Sequence, residues 1–378
     1  MYIMSDRCII CVVGARPNFM KMAPILRAFS VNFPHIKVLL VHTGQHYDKD
    51  MSDKLFDDLK LPHPDINLEV GSSTHAVQTA DVMRKFEPIL DTYNPWCVIV
   101  VGDVNSTLAC TLVSVKKNIP VAHVEAGLRS YDKKMPEEIN RILTDQIADR
   151  LYTTERSAEG NLAKEGVSSE AVCFVGNVMI DSLVHARSSA PDVVSILKSA
   201  NVDLDALNDI RKYALITLHR PSNVDDPDVL MSLLKVLVEV SVKLPLIFCL
   251  HPRTRNNILR FKLEYIFDVK SIVFLPPQGY LAMVGLMSSA SMVLTDSGGL
   301  QEESTALGIP CLTLRDNTER PITVEQGTNT IVGRNRDLIL SCVNSILTGR
   351  GKSGRIPELW DGKAAERIAD DLKKWLML

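Results

Sequence analysis

Short, wholly apolar runs alternate along the chain with longer stretches in which apolar residues recur every three or four positions. The apolar runs predict strands at 8–13, 36–42, 97–101, 119–124, 150–154 and 172–175, and a second set at 214–218, 246–250, 272–275, 292–295 and 310–314. None shows strict polar alternation, so both faces of each sheet are expected to be covered. Strands separated by helical stretches argue parallel sheets with crossover helices. The stretch 136–149 places Ile139, Ile142, Leu143 and Ile147 at helical spacing, with Pro136 suited to the first turn. The polar stretch 187–212, with Ser-Ser-Ala-Pro at 188–191, separates the two strand sets and predicts domains at 1–186 and 187–362. At the end, 363–376 carries Ala365, Ile368, Ala369, Leu372 and Leu376 on one helical face, an amphipathic packing helix.

The length of 378 residues agrees with two cores rather than one. Charge nearly balances, 42 basic against 45 acidic residues, and no basic face or arm suggests a nucleic-acid partner. No apolar run approaches the roughly 18 residues of a membrane span. MYIMSDRC lacks the pattern of a secretory leader, so a cytoplasmic location is expected. Cys8 and Cys11 form a C-x-x-C, but three residues apart on a strand they point to opposite faces. The eight cysteines therefore read as buried reduced thiols. His75, His123 and His185 show no metal-ligand spacing, and no metal is assigned.

In open α/β sheets ligands bind beyond the carboxyl ends of the strands, so the residue after each apolar run carries the information. The first run leads into Gly14-Ala15-Arg16-Pro17 and a helix bearing Lys21, the third into Gly102-Asp103, the fourth into Glu125-Ala126-Gly127. In the second half the runs lead into His219-Arg220, Asp296-Ser297-Gly298-Gly299, and Arg315-Asp316 with Glu319-Arg320 close behind. Each position taken singly is more often a solvated loop or a helix cap. Glu137, in a first helical turn, equally suits the helix dipole. The Ser-Gly-Gly segment before a helix is nevertheless a ready anion cradle, since exposed N–H groups point at phosphate oxygens and glycine allows close approach. Neither a Walker A nor a G-x-G-x-x-G sequence is present.

Ten segments together are more specific than any one: GARPNFMKMAPI (14–25), TGQH (43–46), GDVNSTLA (102–109), HVEAGLRS (123–130), MPEEINR (135–141), FVGNVMID (174–181), TLHR (217–220), PPQGYL (276–281), TDSGGLQEES (295–304) and RDNTERP (315–321). In this order they resemble the non-hydrolysing UDP-N-acetylglucosamine 2-epimerases, over nearly the whole chain. The resemblance implies an α/β fold of two Rossmann-like domains with parallel sheets facing across a cleft, the glycosyltransferase-B-like architecture. It also implies a homodimer, a last helix (363–378) that returns to the first domain, and no cofactor.

By the same resemblance Asp103, Glu125, Glu137 and His219 are the catalytic candidates, with Asp103 and Glu137 the acid/base pair and Glu125 assisting. Arg16, Lys21 and Arg320 are assigned to the diphosphate, as are the backbone donors of Ser297, Gly298 and Gly299. Glu303 is assigned to the ribose hydroxyls, Gln278 to the uracil edge, and Met283 stands where some members place an aromatic. Gln45 and His46 match the motif of a second, regulatory UDP-N-acetylglucosamine, so the substrate is expected also to activate. The chain departs from the pattern after His219-Arg220, where Pro221 is followed by Ser222 rather than Glu. The implied activity is interconversion of UDP-N-acetylglucosamine and UDP-N-acetylmannosamine for surface polysaccharide. The alternatives are a C2-epimerase of another UDP-2-acetamido sugar, such as a diacetamido uronate, and a glycosyltransferase.

Overall fold

A computed structural model describes residues 7–44, 56, 58–202 and 212–378. The chain divides into two compact units: Met1–Ser182 with Glu358–Leu378, and Leu183–Pro357.

The first unit is built on strands β1 (Ile9–Val13), β2 (Val38–His42), β3 (Ile66–Asn67), β4 (Cys97–Val101), β5 (Val121–Ala126), β6 (Arg150–Thr153) and β7 (Val172–Phe174). They pair in the order β3-β2-β1-β4-β5-β6-β7, every pair parallel. All five residues of β1 and of β4 are buried, as expected of strands covered on both faces. One face packs Cys8, Ile10 and Val12 against Val82, Phe86 and Leu90 of α2 (His75–Tyr93) and Ala109, Cys110 and Val113 of α3 (Asn105–Lys116). Cys11 is absent from that cluster and is buried too, so the two cysteines of the C-x-x-C diverge. Burial pushes the Cys11 thiol far above its usual range.

The helix after β1, α1 (Arg16–Asn32), packs against the last helix of the chain, α15 (Ala364–Trp375). That helix buries Ala365, Ile368, Ala369 and Leu372. Its Asp371 takes a bidentate hydrogen bond from Arg150 at 2.8 and 2.6 Å and a third from the Tyr152 hydroxyl at 2.8 Å. Asp181 receives the N–H groups of Ala364 and Ala365 at the helix start, at 3.2 and 2.7 Å. Burial raises Asp181 to about 6, against those hydrogen bonds, which lower it. A carboxyl group whose folded value exceeds its unfolded one binds its proton more tightly when folded. Its contribution to stability is therefore full below the unfolded value and lost as pH rises through about 6. Denaturant melts at roughly pH 5 and pH 7.5 should show Asp181→Asn losing about 1 kcal/mol less stability over that interval than wild type. Equal losses in both proteins would contradict the assignment.

The second unit pairs strands β8 (Ala214–Thr217), β9 (Leu246–Cys249), β10 (Ile272–Leu275), β11 (Met292–Thr295), β12 (Cys311–Thr313) and β13 (Asn329–Ile331) in the order β10-β9-β8-β11-β12-β13, again all parallel. Its core joins Ile216, Phe248 and Leu294 of the strands to Leu230, Leu234 and Leu237 of α9 (Pro227–Ser241) and Ile339 and Val343 of α14 (Arg336–Leu347). Among the described residues no helix is long and apolar enough to cross a membrane.

Three features depart from the sequence expectations. The short strands β3 and β13 were not foreseen. Residues Val193–Ser199, inside the stretch read as a polar boundary, form helix α7, capped by Asp192. Helix α4 (Pro136–Ile147) is oriented against its apolar stripe: Ile139 and Leu143 are exposed, while Glu138, Asn140, Arg141, Thr144 and Asp145 are buried. The buried polar side is held by specific hydrogen bonds, and these outweigh the apolar moment.

Candidate active site

Both sheets reverse their strand order between the first and the fourth strand of the unit, β1/β4 and β8/β11. Chains leave such a switch point in opposite directions and open a crevice at the carboxyl ends of the strands. Most of the site candidates lie at one of these two places.

In the first unit, Gly102 follows β4 with φ of +66°, and a Cβ there would lie 2.8 Å from the Lys21 Nζ. The left-handed turn favours glycine, and the missing side chain leaves room for that ammonium. Lys21, one turn into α1, is buried and ion-paired with Glu125, which is buried as well. Glu125 is itself left-handed, with φ of +71°. The β5–β6 register shifts at this point, between Val124 and Ala126. A non-glycine residue in this conformation costs energy that the surroundings must supply, and such strain concentrates at functional sites.

Asp103 pairs with Arg141 of α4, and its carbonyl accepts from Asn140 Nδ2 at 2.9 Å. Arg141 also holds Glu138 at 2.8 Å. Glu138 accepts the backbone N–H of Ser130 and of Tyr131, the latter at 2.7 Å. Of the adjacent carboxylates, Glu138 is thus the buried strut and Glu137 the exposed group in the first turn. Arg16 opens α1, but its side chain, like Gln45 and His46, falls outside the described part of the structure.

In the second unit His219 follows β8 and Asp296 follows β11, on neighbouring strands. The imidazole Nδ1 lies 2.9 Å from Asp296 Oδ1. The same carboxylate accepts the backbone N–H of His219 at 3.0 Å, that of Arg220 at 2.9 Å and Asn223 Nδ2 at 3.2 Å. Burial alone would raise Asp296, but the bonds from His219 and the two N–H groups hold it below the usual carboxylate range. Asp296 is an anion that orients the imidazole, as the third member of a hydrolase triad does. In the sequence Asp296 stands out only as the head of the Asp296-Ser297-Gly298-Gly299 segment, not as a partner of His219.

Ser297 stands at the N-cap position of α12 (Gly298–Ala306), the helix that follows, with no capping hydrogen bond from its side chain. A Cβ at Gly298 would meet nothing nearer than a Glu319 oxygen at 3.9 Å, so the start of the helix is open. Around it stand three arginines. Arg320 Nε is 2.8 Å from Glu302 Oε1, and Arg315 makes a two-pronged pair with Glu319 at 2.8 Å on each prong. Arg220 Nη2 reaches Glu319 at 3.9 Å. Burial would raise Glu319, but Arg315 first, then Arg320 and Arg220, bring it down to about 2. Such a group presents fixed positive charge to an anion.

Glu303 is buried in the same helix and interacts with the Tyr280 hydroxyl; burial first and then that carboxylate raise the phenol well above its ordinary value. Gln278 is half-buried after β10, its amide donating to the Pro276 carbonyl at 2.8 Å. Met283 is half-buried in α11 (Tyr280–Ser288). Among the described residues, no group of three or more His, Cys, Asp or Glu could hold a metal ion.

Comparison with known proteins shows the family and the fold. A family model described as UDP-N-acetylglucosamine 2-epimerase matches residues 31–373. A protein of Methanococcus maripaludis called a UDP-N-acetylglucosamine 2-epimerase homolog is 43% identical, over 89% of this chain and 91% of that one. A UDP-2,3-diacetamido-2,3-dideoxy-D-glucuronate 2-epimerase of Pseudomonas aeruginosa is 39% identical, over 97% and 99%. The crystal structure of the Methanocaldococcus jannaschii UDP-GlcNAc 2-epimerase, in complex with UDP-GlcNAc and UDP, superposes with a TM-score of 0.85 at 38% identity, covering 97% of this chain and 99% of that one. The chain belongs to the UDP-N-acetylglucosamine 2-epimerase family, and so among the isomerases.

Proposed function

We propose that this protein is a non-hydrolysing UDP-N-acetylglucosamine 2-epimerase, which interconverts UDP-N-acetylglucosamine and UDP-N-acetylmannosamine without a cofactor. The observation that carries the reading is the division of chemistry between the switch points: carboxylates on the first sheet, the His219–Asp296 pair and an arginine group on the second.

The C2 hydrogen of a nucleotide sugar has no adjacent carbonyl to acidify it, so the reaction proceeds by elimination. A base takes H2 as a proton, and the C2–H electron pair becomes the C1–C2 double bond. The C1–O bond breaks, and its electrons leave with UDP, giving 2-acetamidoglucal. A UDP oxygen then attacks C1 while a proton is delivered to the opposite face of C2. Two acid/base groups are required, and Asp103 and Glu137 fill these roles with Glu125 assisting. The departing diphosphate needs strong electrostatic stabilisation. His219, Arg16, Lys21 and Arg320 and the N–H groups of Ser297, Gly298 and Gly299 provide it. Glu303 takes the ribose hydroxyls, and Gln278 and Met283 meet the uracil. Lys21 has a second task here, since its ammonium is the charge partner of Glu125.

Identity to the Pseudomonas enzyme at 39% favours a second reading, a C2-epimerase of a UDP-diacetamido uronate. Each UDP-sugar supplied alone, with the anomeric proton followed by NMR, decides between them. A manno product from UDP-N-acetylglucosamine alone supports the first reading; turnover of the uronate alone transfers the assignment to the second. The velocity curve from the same titration tests activation by substrate at the Gln45-His46 segment. A plain hyperbola for wild type and Gln45→Ala alike would contradict it. We place the enzyme in the cytoplasm, supplying surface polysaccharide synthesis. The exposed apolar residues Ile139 and Leu143 of α4 support a homodimer, which the mass in solution would test.

A further inference from the structure

His123, which the reaction scheme leaves unused, is fully buried in β5 with both ring nitrogens engaged. Nδ1 lies 2.7 Å from Asp145 Oδ1, and Nε2 lies 2.8 Å from the Gly102 carbonyl. Both partners are acceptors, one a carboxylate oxygen and one a peptide oxygen. Each nitrogen must therefore carry a proton, which makes the ring an imidazolium. The charges around it agree. Asp145 Oδ2 also accepts Arg129 Nη1 at 2.7 Å, and Arg129 makes a two-pronged pair with Glu165 at 2.8 and 2.6 Å. With His123 charged, two cations face two anions and the group is neutral, with Glu165 its partly exposed end. A neutral imidazole would leave the fully buried Asp145 carboxylate to share Arg129 with Glu165, at a site where unpaired charge is costly.

The network touches the backbone on both sides of the catalytic carboxylates. Asp145 Oδ2 accepts the Gly127 N–H at 3.0 Å. One carboxylate thus brackets Glu125, bonding the residue two before it through the ring and the residue two after it through the main chain. Gly127 is left-handed with φ of +78°, and a Cβ there would lie 2.6 Å from the Ala158 carbonyl oxygen, so only glycine fits where the segment packs against α5 (Arg156–Lys164). The other ring nitrogen holds Gly102, the residue before Asp103. We propose that His123, doubly protonated and anchored on Asp145, is a positioning residue that fixes Glu125 and Asp103 relative to each other. The bonds at Gly127 and Gly102 offset the left-handed strain at Glu125.

The idea rests on the epimerase reading, and its test separates the two. His123→Gln retains a donor toward the Gly102 carbonyl, whereas His123→Leu retains none. With UDP-N-acetylglucosamine as substrate, His123→Leu should lower kcat by about 100-fold with KM little changed, the loss expected when reacting groups shift by about an ångström. His123→Gln should recover roughly tenfold of that loss. Nitrogen-15 spectra of imidazole-labelled protein should show, in the signals missing from His123→Gln, two protonated ring nitrogens at neutral pH. Should His123→Leu fail to fold, the Gln variant and the spectra still decide. Wild-type kcat in either variant, or a ring with a single N–H, overturns the proposal. A wild-type enzyme inert on both UDP-sugars overturns the epimerase reading instead, and the ring signature then tests the network by itself.

Discussion

Asp103→Asn and Glu137→Gln are each expected to lower kcat by about 100-fold or more, the contribution typical of a positioned acid or base, and to leave the fold intact. Both replacements keep the shape of the side chain and remove only the capacity to exchange a proton. The two should differ in stability. Asp103 is paired with the buried Arg141 and its own carbonyl is held by Asn140. Its replacement leaves Arg141 only Glu138 as a charged partner among the described residues, and so costs on the order of 1–3 kcal/mol. Glu137 is exposed in the first turn of α4, and its replacement should fall within about 0.5 kcal/mol of wild type. Steady-state kinetics on purified variants, with a thermal melt of each, measure both quantities. A variant that retains the wild-type rate removes that carboxylate from the mechanism.

The second large effect is expected at Asp296. Its carboxylate gathers the His219 ring, two backbone N–H groups and Asn223, with its charge held by hydrogen bonds in a buried place. In Asp296→Asn the backbone bonds can persist in part, but the carboxylate that orients the His219 ring is gone, and the amide can present an N–H to it. A loss of about 100-fold or more in kcat is expected, toward the roughly 10,000-fold lost when the orienting carboxylate of a Ser-His-Asp triad is replaced by its amide. His219→Asn should lose a similar factor. If the two side chains act as a unit, the double variant loses little more than either single variant. Multiplication of the two losses would show that Asp296 serves only the backbone.

The sheets were legible because their strands are continuous apolar runs; each observed strand of four or more residues lies on one of them within one or two residues. The strands that escaped, Ile66–Asn67 and Asn329–Ile331, are short and carry polar residues at sheet edges. Little side-chain signal marks such a strand. The α4 stripe misled because periodicity reports where apolar residues lie, not which side a set of buried hydrogen bonds prefers. The same limit hid the division of labour between Glu137 and Glu138, adjacent in sequence and opposite in burial. Asp296 and His123 were visible as residues but not as partners. The bond from Asp296 to His219 spans β8 and β11, and that from His123 to Asp145 joins a strand to a helix. Pairings of this kind follow from strand order, which no local pattern encodes. Asp103 and Glu125 could be singled out in the sequence because each stands at or beside the end of a strand, and Lys21 because it lies in the helix that directly follows one.

The central claim is proton exchange at C2 through release and return of UDP. Incubation of the protein with UDP-N-acetylglucosamine in deuterated water, with no acceptor present, tests it most directly when the sugar is followed by NMR. The account predicts a UDP-linked manno product bearing deuterium at C2. Free N-acetylmannosamine, or a C2 proton that never exchanges, would contradict it.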